Sequence, residues 1–222
     1  MTLSGAVNKS FILLAIVFAA GFATWSHFYE VIKGQQQIPS WYYGSVALAF
    51  IVTLVIIFKP KLAPVLSPFY AALEGLVLGL LSLYFESMYP GIVMQAMLGT
   101  LCVFTALLFA YKSRIIKPTE NFKLGVFAAT LGIMFIYLIS FILPFFGMEM
   151  PYLHESGPMG IFVSVVFVSV AALNLVLDFD FIERGVLARA PKHMEWYAAF
   201  GLLITIVWIY VEILRLIAKS RD

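Results

Sequence analysis

Seven nearly unbroken apolar stretches divide the chain, at 11–29, 42–58, 65–85, 91–111, 124–146, 159–177 and 196–214. A helix needs about 20 such residues to cross the hydrocarbon core of a bilayer, with a range near 17–25. The second stretch is at the short end of that range and the fifth is at the long end. A transmembrane β-barrel would show alternating segments of about 10 residues instead. The pattern therefore predicts an all-α integral membrane protein. It is read as one membrane domain over 1–222, a bundle of seven transmembrane helices.

The ten prolines support the same boundaries. Pro39, Pro60, Pro64, Pro68, Pro90, Pro118, Pro144, Pro151, Pro158 and Pro191 all fall in connections or at segment ends. Proline lacks the backbone donor and breaks a helix interior. The connections are short, so successive helices should pack as antiparallel neighbours.

Lys and Arg set the orientation. Lys9, Lys59, Lys61, Lys112, Arg114, Lys117, Lys123, Arg184, Arg189 and Lys192 share one side of a seven-span chain. The other side offers Lys33 and the acidic Glu149 and Glu155. That places the N-terminus in the cytoplasm. Arg215, Lys219 and Arg221 then lie outside, against the rule. Trp25, Trp41, Tyr42, Tyr43, Tyr89, Tyr111, Trp196 and Tyr197 gather at segment edges, as an interfacial aromatic belt does. Gly75 and Gly79 form a small-xxx-small pattern that predicts close helix packing.

Composition narrows the function. Hydrophobic residues make up 63% of the chain and charged ones 12%, where a soluble domain carries roughly a quarter. Mean hydropathy is +0.99. The net charge of +2 and the lack of a basic, aromatic-interleaved stretch give no nucleic-acid partner; the lipid bilayer is the expected one. The single Cys102 lies in an apolar segment and is expected as a packed core thiol. The run 11–29 is longer than a signal-peptide core and is expected to remain as the first span. His27, His154 and His193 lie at segment edges, and no paired Cys, H-E-x-x-H or G-x-S-x-G motif occurs. No catalytic residue and no resident cofactor are expected, and the chain is not read as an enzyme.

Against this background four acids stand out: Glu74, Asp178, Asp180 and Glu212. A carboxylate at the bilayer centre costs at least ~2.5 kcal/mol on insertion scales. Ser164, Ala171, Asn174 and Asp178 follow helical spacing, so a small, polar stripe leads to Asp178 and should face other helices or a cavity. Asp180 points to another side and can pair with Arg184 at i+4, as at a solvated helix end. On the last segment Gly201, Thr205, Trp208, Glu212 and Arg215 share one face, and Arg215 stands i+3 from Glu212. Glu74 has no nearby cation in sequence and is expected to be largely buried, close to the last helix. Two carboxyls brought together in low dielectric share a proton and titrate as a unit. Deprotonated, they offer hard oxygen ligands suited to Ca²⁺. Such a pair serves equally as a proton-sensitive gate or as a cation site.

The run NLVLDFDFIERG at 174–185, followed by EWYAAFGLLITIVWIYVEILR at 195–215, resembles the bacterial branch of the Bax inhibitor-1 family, the YccA-like or transmembrane BAX inhibitor motif proteins. Phe58-Lys59-Pro60-Lys61, Ala72-Leu73-Glu74-Gly75-Leu76, Tyr89-Pro90-Gly91-Ile92-Val93 and Ser156-Gly157-Pro158 agree with it. The resemblance covers the chain from about Val7.

It implies a seven-helix bundle in the bacterial inner membrane, with the last helix central. It also implies a pH-sensitive Ca²⁺ leak, with Ca²⁺ as the permeant ion. A proton-sensing acid pair on the sixth and seventh helices would fall on Asp178 and Glu212, with Glu where the family has Asp. The family's gating Arg of the second helix region has no counterpart here. The resemblance implies a second role too, a non-conducting regulator that binds a membrane protease or insertion machinery. One spacing stands apart: a hairpin turning near Pro191 sets Asp178 level with Ile204 to Val207, leaving Glu212 offset by roughly 7–12 Å at 1.5 Å per residue. If that gap stays open, Asp180 or Glu74 is the rival partner.

Overall fold

The computed structural model describes residues 1–35, 40–147 and 157–221. Pro39, Glu149, Pro151, His154 and Glu155 lie outside them. Seven α-helices follow in order: α1 Leu3–Gln35, α2 Trp41–Phe58, α3 Ala63–Met88, α4 Ile92–Lys112, α5 Glu120–Ile142, α6 Pro158–Leu187 and α7 Met194–Arg221. Short 3-10 turns at Pro60–Leu62 and Leu143–Phe146 lead into α3 and out of α5. All seven helices are long and apolar enough to cross a membrane, and the protein is a helical membrane bundle.

Several helices outrun their apolar stretches. The longest extension at a single end is in α6, which runs to Leu187 rather than 177. Hydropathy stops at the first acid, but Asp178, Glu183 and Arg184 do not stop a helix that still closes its backbone bonds. Asp178 and Asp180 therefore sit well inside α6, and Asp180 is not a helix-end residue. α3 likewise begins at Ala63, with Pro64 in its first turn and Pro68 inside it. Pro64 is tolerated because first-turn N–H groups have no intrahelical partner, whereas Pro68 lies further in and removes one i→i−4 bond.

Large apolar side chains cover the outside of these helices. Phe22, Phe50, Phe109 and Phe141 are all more than half exposed, which suits hydrocarbon and not water. Cys102 is exposed too, which corrects the expectation of a core thiol. α4 buries only 17% of its apolar window, and a thiol is as compatible with lipid as with a core. α7 is the most enclosed helix, with 56% of that window buried.

The described chain groups into two compact units. The first holds Met1–Val93 and Phe181–Ile204. Here α1 and α3 cross with their backbones in contact. A Cβ on Gly75 would stand 2.5 Å from the Val17 carbonyl oxygen, and one on Gly79 2.5 Å from that of Gly21. Only glycine permits this approach. Leu80 and Leu83 are then buried against Trp25, Phe28 and Tyr42. Tyr70 of α3 meets Phe200 of α7 edge to face, centroids 5.0 Å apart.

The second unit holds Met94–Asp180 and Thr205–Asp222. Ile133 of α5 and Phe167 of α6 form a buried centre with Tyr137 and Trp208 packed against it. Phe179 lies between Phe104 and Tyr111 of α4, each ring centroid 5.7 Å away. Gly99 leaves room for Ile213.

Candidate functional site

The candidate site is built on one face of α7 in the second unit. Thr205, Trp208, Glu212, Arg215 and Lys219 recur at intervals of three and four, the spacing that aligns side chains along a helix. Each finds a partner on α5, on α6 or within α7.

Glu212 is almost wholly buried, 2% exposed. Its Oε1 accepts from the Tyr137 hydroxyl of α5 at 2.5 Å and from the Trp208 indole N–H one turn back at 3.1 Å. The Arg215 guanidinium stands 3.8 Å from the same oxygen and donates to the Tyr137 hydroxyl at 2.8 Å. It also lies over the Tyr137 ring, 5.2 Å from its centroid. The i+3 ion pair read from the sequence is present, but a tyrosine of another helix is inserted into it. A buried carboxylate with two donors and a cation is compensated; one stripped of them is not.

Asp178 is served differently. The Thr205 hydroxyl donates to it across the α6–α7 contact. Its Oδ2 is enclosed and, among the described residues, has no hydrogen-bond partner. The rest of the α6 stripe also faces helices. The Asn174 amide donates to the Thr130 hydroxyl of α5 at 2.8 Å. The Ser164 hydroxyl accepts from Lys219 of α7 at 2.9 Å, and the Gly160 carbonyl accepts from the same ammonium at 3.2 Å.

Asp178 and Glu212 thus occupy separate stations. Thr205 and Glu212 are seven residues apart on α7, a rise of about 10 Å at 1.5 Å per residue. The spacing anomaly in the sequence stays open, so the two acids do not share one hydrogen bond. Among the described residues no group of three or more His, Cys, Asp or Glu is arranged to hold a metal.

Asp180 belongs to neither station. Its carboxylate is 2.8 Å from the Lys123 ammonium of α5, which also pairs with Glu120 at 3.3 Å. A partner on another helix carries no signal in a single-helix spacing.

The fourth acid, Glu74, lies in the first unit. The Tyr70 hydroxyl donates to it, and Tyr70 also hydrogen-bonds Thr53 of α2. It lines a groove between α2 and α3 and is largely buried, as expected. Its described hydrogen bond is with Tyr70 of its own helix.

Sequence reasoning missed two residues. Tyr137 had a signal, a hydroxyl in mid-span that must find a partner in hydrocarbon. Glu195, in the first turn of α7, is 3% exposed and ion-paired to Lys9 of α1. It also accepts from the Thr2 backbone at 2.9 Å and the Thr2 hydroxyl at 3.1 Å. A Cβ on Gly5 would sit 2.4 Å from a Glu195 oxygen, so the carboxylate would have to shift.

A protein-family model described as Bax inhibitor 1 like matches residues 1–222. The chain belongs to the Bax inhibitor 1-like family. Comparison with curated proteins and with solved structures gives no match.

Proposed function

We propose that the protein is a pH-sensitive Ca²⁺ leak of the bacterial inner membrane, with a cytoplasmic N-terminus, in which Asp178 is the protonation site and Glu212 is a structural latch. The observation that carries this reading is the contrast between the two acids. Glu212 has two donors and Arg215. Asp178 has Thr205 and an enclosed oxygen without a donor. Gain or loss of a proton at Asp178 is therefore a change of charge with no cation paired to it among the described residues, where Glu212 has Arg215. It acts where α6 meets α7, so the two protonation states favour different packings of that contact. Ca²⁺ is cargo in this scheme: carboxylates and carbonyls are hard oxygen donors that a passing ion uses in turn.

The orientation rests on the Lys and Arg residues of the even-numbered connections. Purified protein in liposomes loaded with a Ca²⁺ dye tests the proposal. Ca²⁺ entry that depends on pH and on Asp178 supports it. Protein-independent entry would favour the non-conducting regulator of a membrane protease.

A further inference from the structure

The groove between α2 and α3 combines three features that the Ca²⁺ scheme does not use. It is a cavity of about 220 Å³ lined by Val46, Ala49, Phe50, Thr53, Tyr70, Glu74 and Val77. Its rim is apolar and outward-facing: Phe50 is 63% exposed and Val46 41%. Its polar end is a carboxyl, Glu74, near the middle of the 26-residue α3. That is hydrocarbon depth, about 16 Å of rise from Ala63.

We propose that this groove is a binding site for a lipophilic amine, an alkyl or aryl chain ending in a primary ammonium. The carboxyl selects the head. Two carboxylate oxygens accept about four hydrogen bonds, and among the described residues Tyr70 is the side-chain donor that Glu74 has. An ammonium supplies three donors and one positive charge, so the pair carries no net charge into the bilayer. The Tyr70 hydroxyl, held by Thr53, fixes the carboxyl at the groove's end. Val46, Ala49, Phe50 and Val77 select the tail, since they offer only hydrocarbon contact.

Depth selects the source. A phospholipid amine is anchored by its phosphate at the interface, whereas a free lipophilic amine can enter as the neutral base and take the Glu74 proton within the groove. The site differs in place and chemistry from the α6–α7 stations, so its test does not depend on Ca²⁺ flux.

The test uses the full chain in nanodiscs of phosphatidylcholine and phosphatidylglycerol, which carry no primary amine. Radiolabelled dodecylamine should bind saturably. Glu74→Gln and, separately, Ala49→Phe, which fills the groove without touching the acid, should weaken binding by about tenfold or more, the scale of losing a desolvated ion pair. Dodecanol should not compete. Dicyclohexylcarbodiimide provides a readout on the unaltered chain. The carboxylic acid adds across one C=N bond to give an O-acylisourea, which rearranges to a stable N-acylurea. Mass spectrometry should find this adduct on Glu74, and dodecylamine should suppress it. Competition by dodecanol, wild-type binding by both folded variants, or an adduct on Glu74 that dodecylamine leaves untouched would overturn the proposal. Protection by added phosphatidylethanolamine equal to that by dodecylamine would also overturn it, because a headgroup would then be the occupant.

Discussion

The Tyr137 hydroxyl donates to Oε1 of Glu212 at 2.5 Å and ties α5 to α7. The same hydroxyl accepts from Arg215 at 2.8 Å, so a phenol relays between a buried acid and its cation. The arrangement holds Glu212 in place by three side chains.

Tyr137→Phe removes that relay while keeping the ring against Phe167. It leaves Glu212 with Trp208 alone as a direct donor, a loss of about 1–3 kcal/mol for an unsatisfied buried group. Thermal unfolding in detergent should show a clear drop. A variant as stable as wild type would mean that the bond contributes nothing.

Lys9 and Glu195 should behave as a coupled pair. Lys9→Met strands a buried carboxylate, which costs about 3–5 kcal/mol when one partner of a buried pair is removed. Adding Glu195→Gln should recover much of that loss. The double-mutant cycle, read by unfolding in detergent, should give a coupling well above zero; additive losses would contradict the pairing.

The α1–α3 crossing should be intolerant of side chains. Gly79→Ala places a methyl 2.5 Å from the Gly21 carbonyl oxygen, so the helices must separate. Overpacking of this kind costs about 1–3 kcal/mol. Gly125→Ala, where a Cβ meets nothing within 4 Å, is the control and should be neutral or better. Equal stability of both variants would contradict the described contact.

Asp180 should matter less than the buried acids. Its partner Lys123 keeps Glu120 at 3.3 Å when Asp180 loses its charge, so no cation is stranded. Asp180→Asn should unfold near the wild-type temperature and keep the wild-type pH profile of Ca²⁺ flux. A flattened profile would move the protonation site to the wrong acid.

Much of this was legible in the sequence, and the limits have physical causes. Seven apolar stretches gave seven helices because hydrocarbon tolerates no other open arrangement of backbone. The Gly75–Gly79 pattern gave a close crossing because nothing else uses small residues four apart at that depth. Residues on a helix face were also readable: Thr205, Trp208, Glu212 and Arg215 do form one row. Partners on other helices were not. Tyr137, Lys123 and Lys9 lie 75, 57 and 186 residues from Glu212, Asp180 and Glu195, and no local period connects them. The resemblance suggested a pair, Asp178 with Glu212, that the arithmetic of α7 already questioned. The structure answers with Thr205 opposite Asp178 and Tyr137 opposite Glu212.

The most direct measurement is Ca²⁺ flux against pH in dye-loaded liposomes for wild type, Asp178→Asn and Glu212→Gln. The amides keep shape and cannot ionise, so each isolates one charge. One pKa unit of coupling is worth about 1.4 kcal/mol, enough to move a balanced two-state gate tenfold. Asp178→Asn should flatten the profile. Glu212→Gln, altering a latch and not the sensor, should change the level of flux and retain its pH dependence. A wild-type profile in Asp178→Asn would contradict the account.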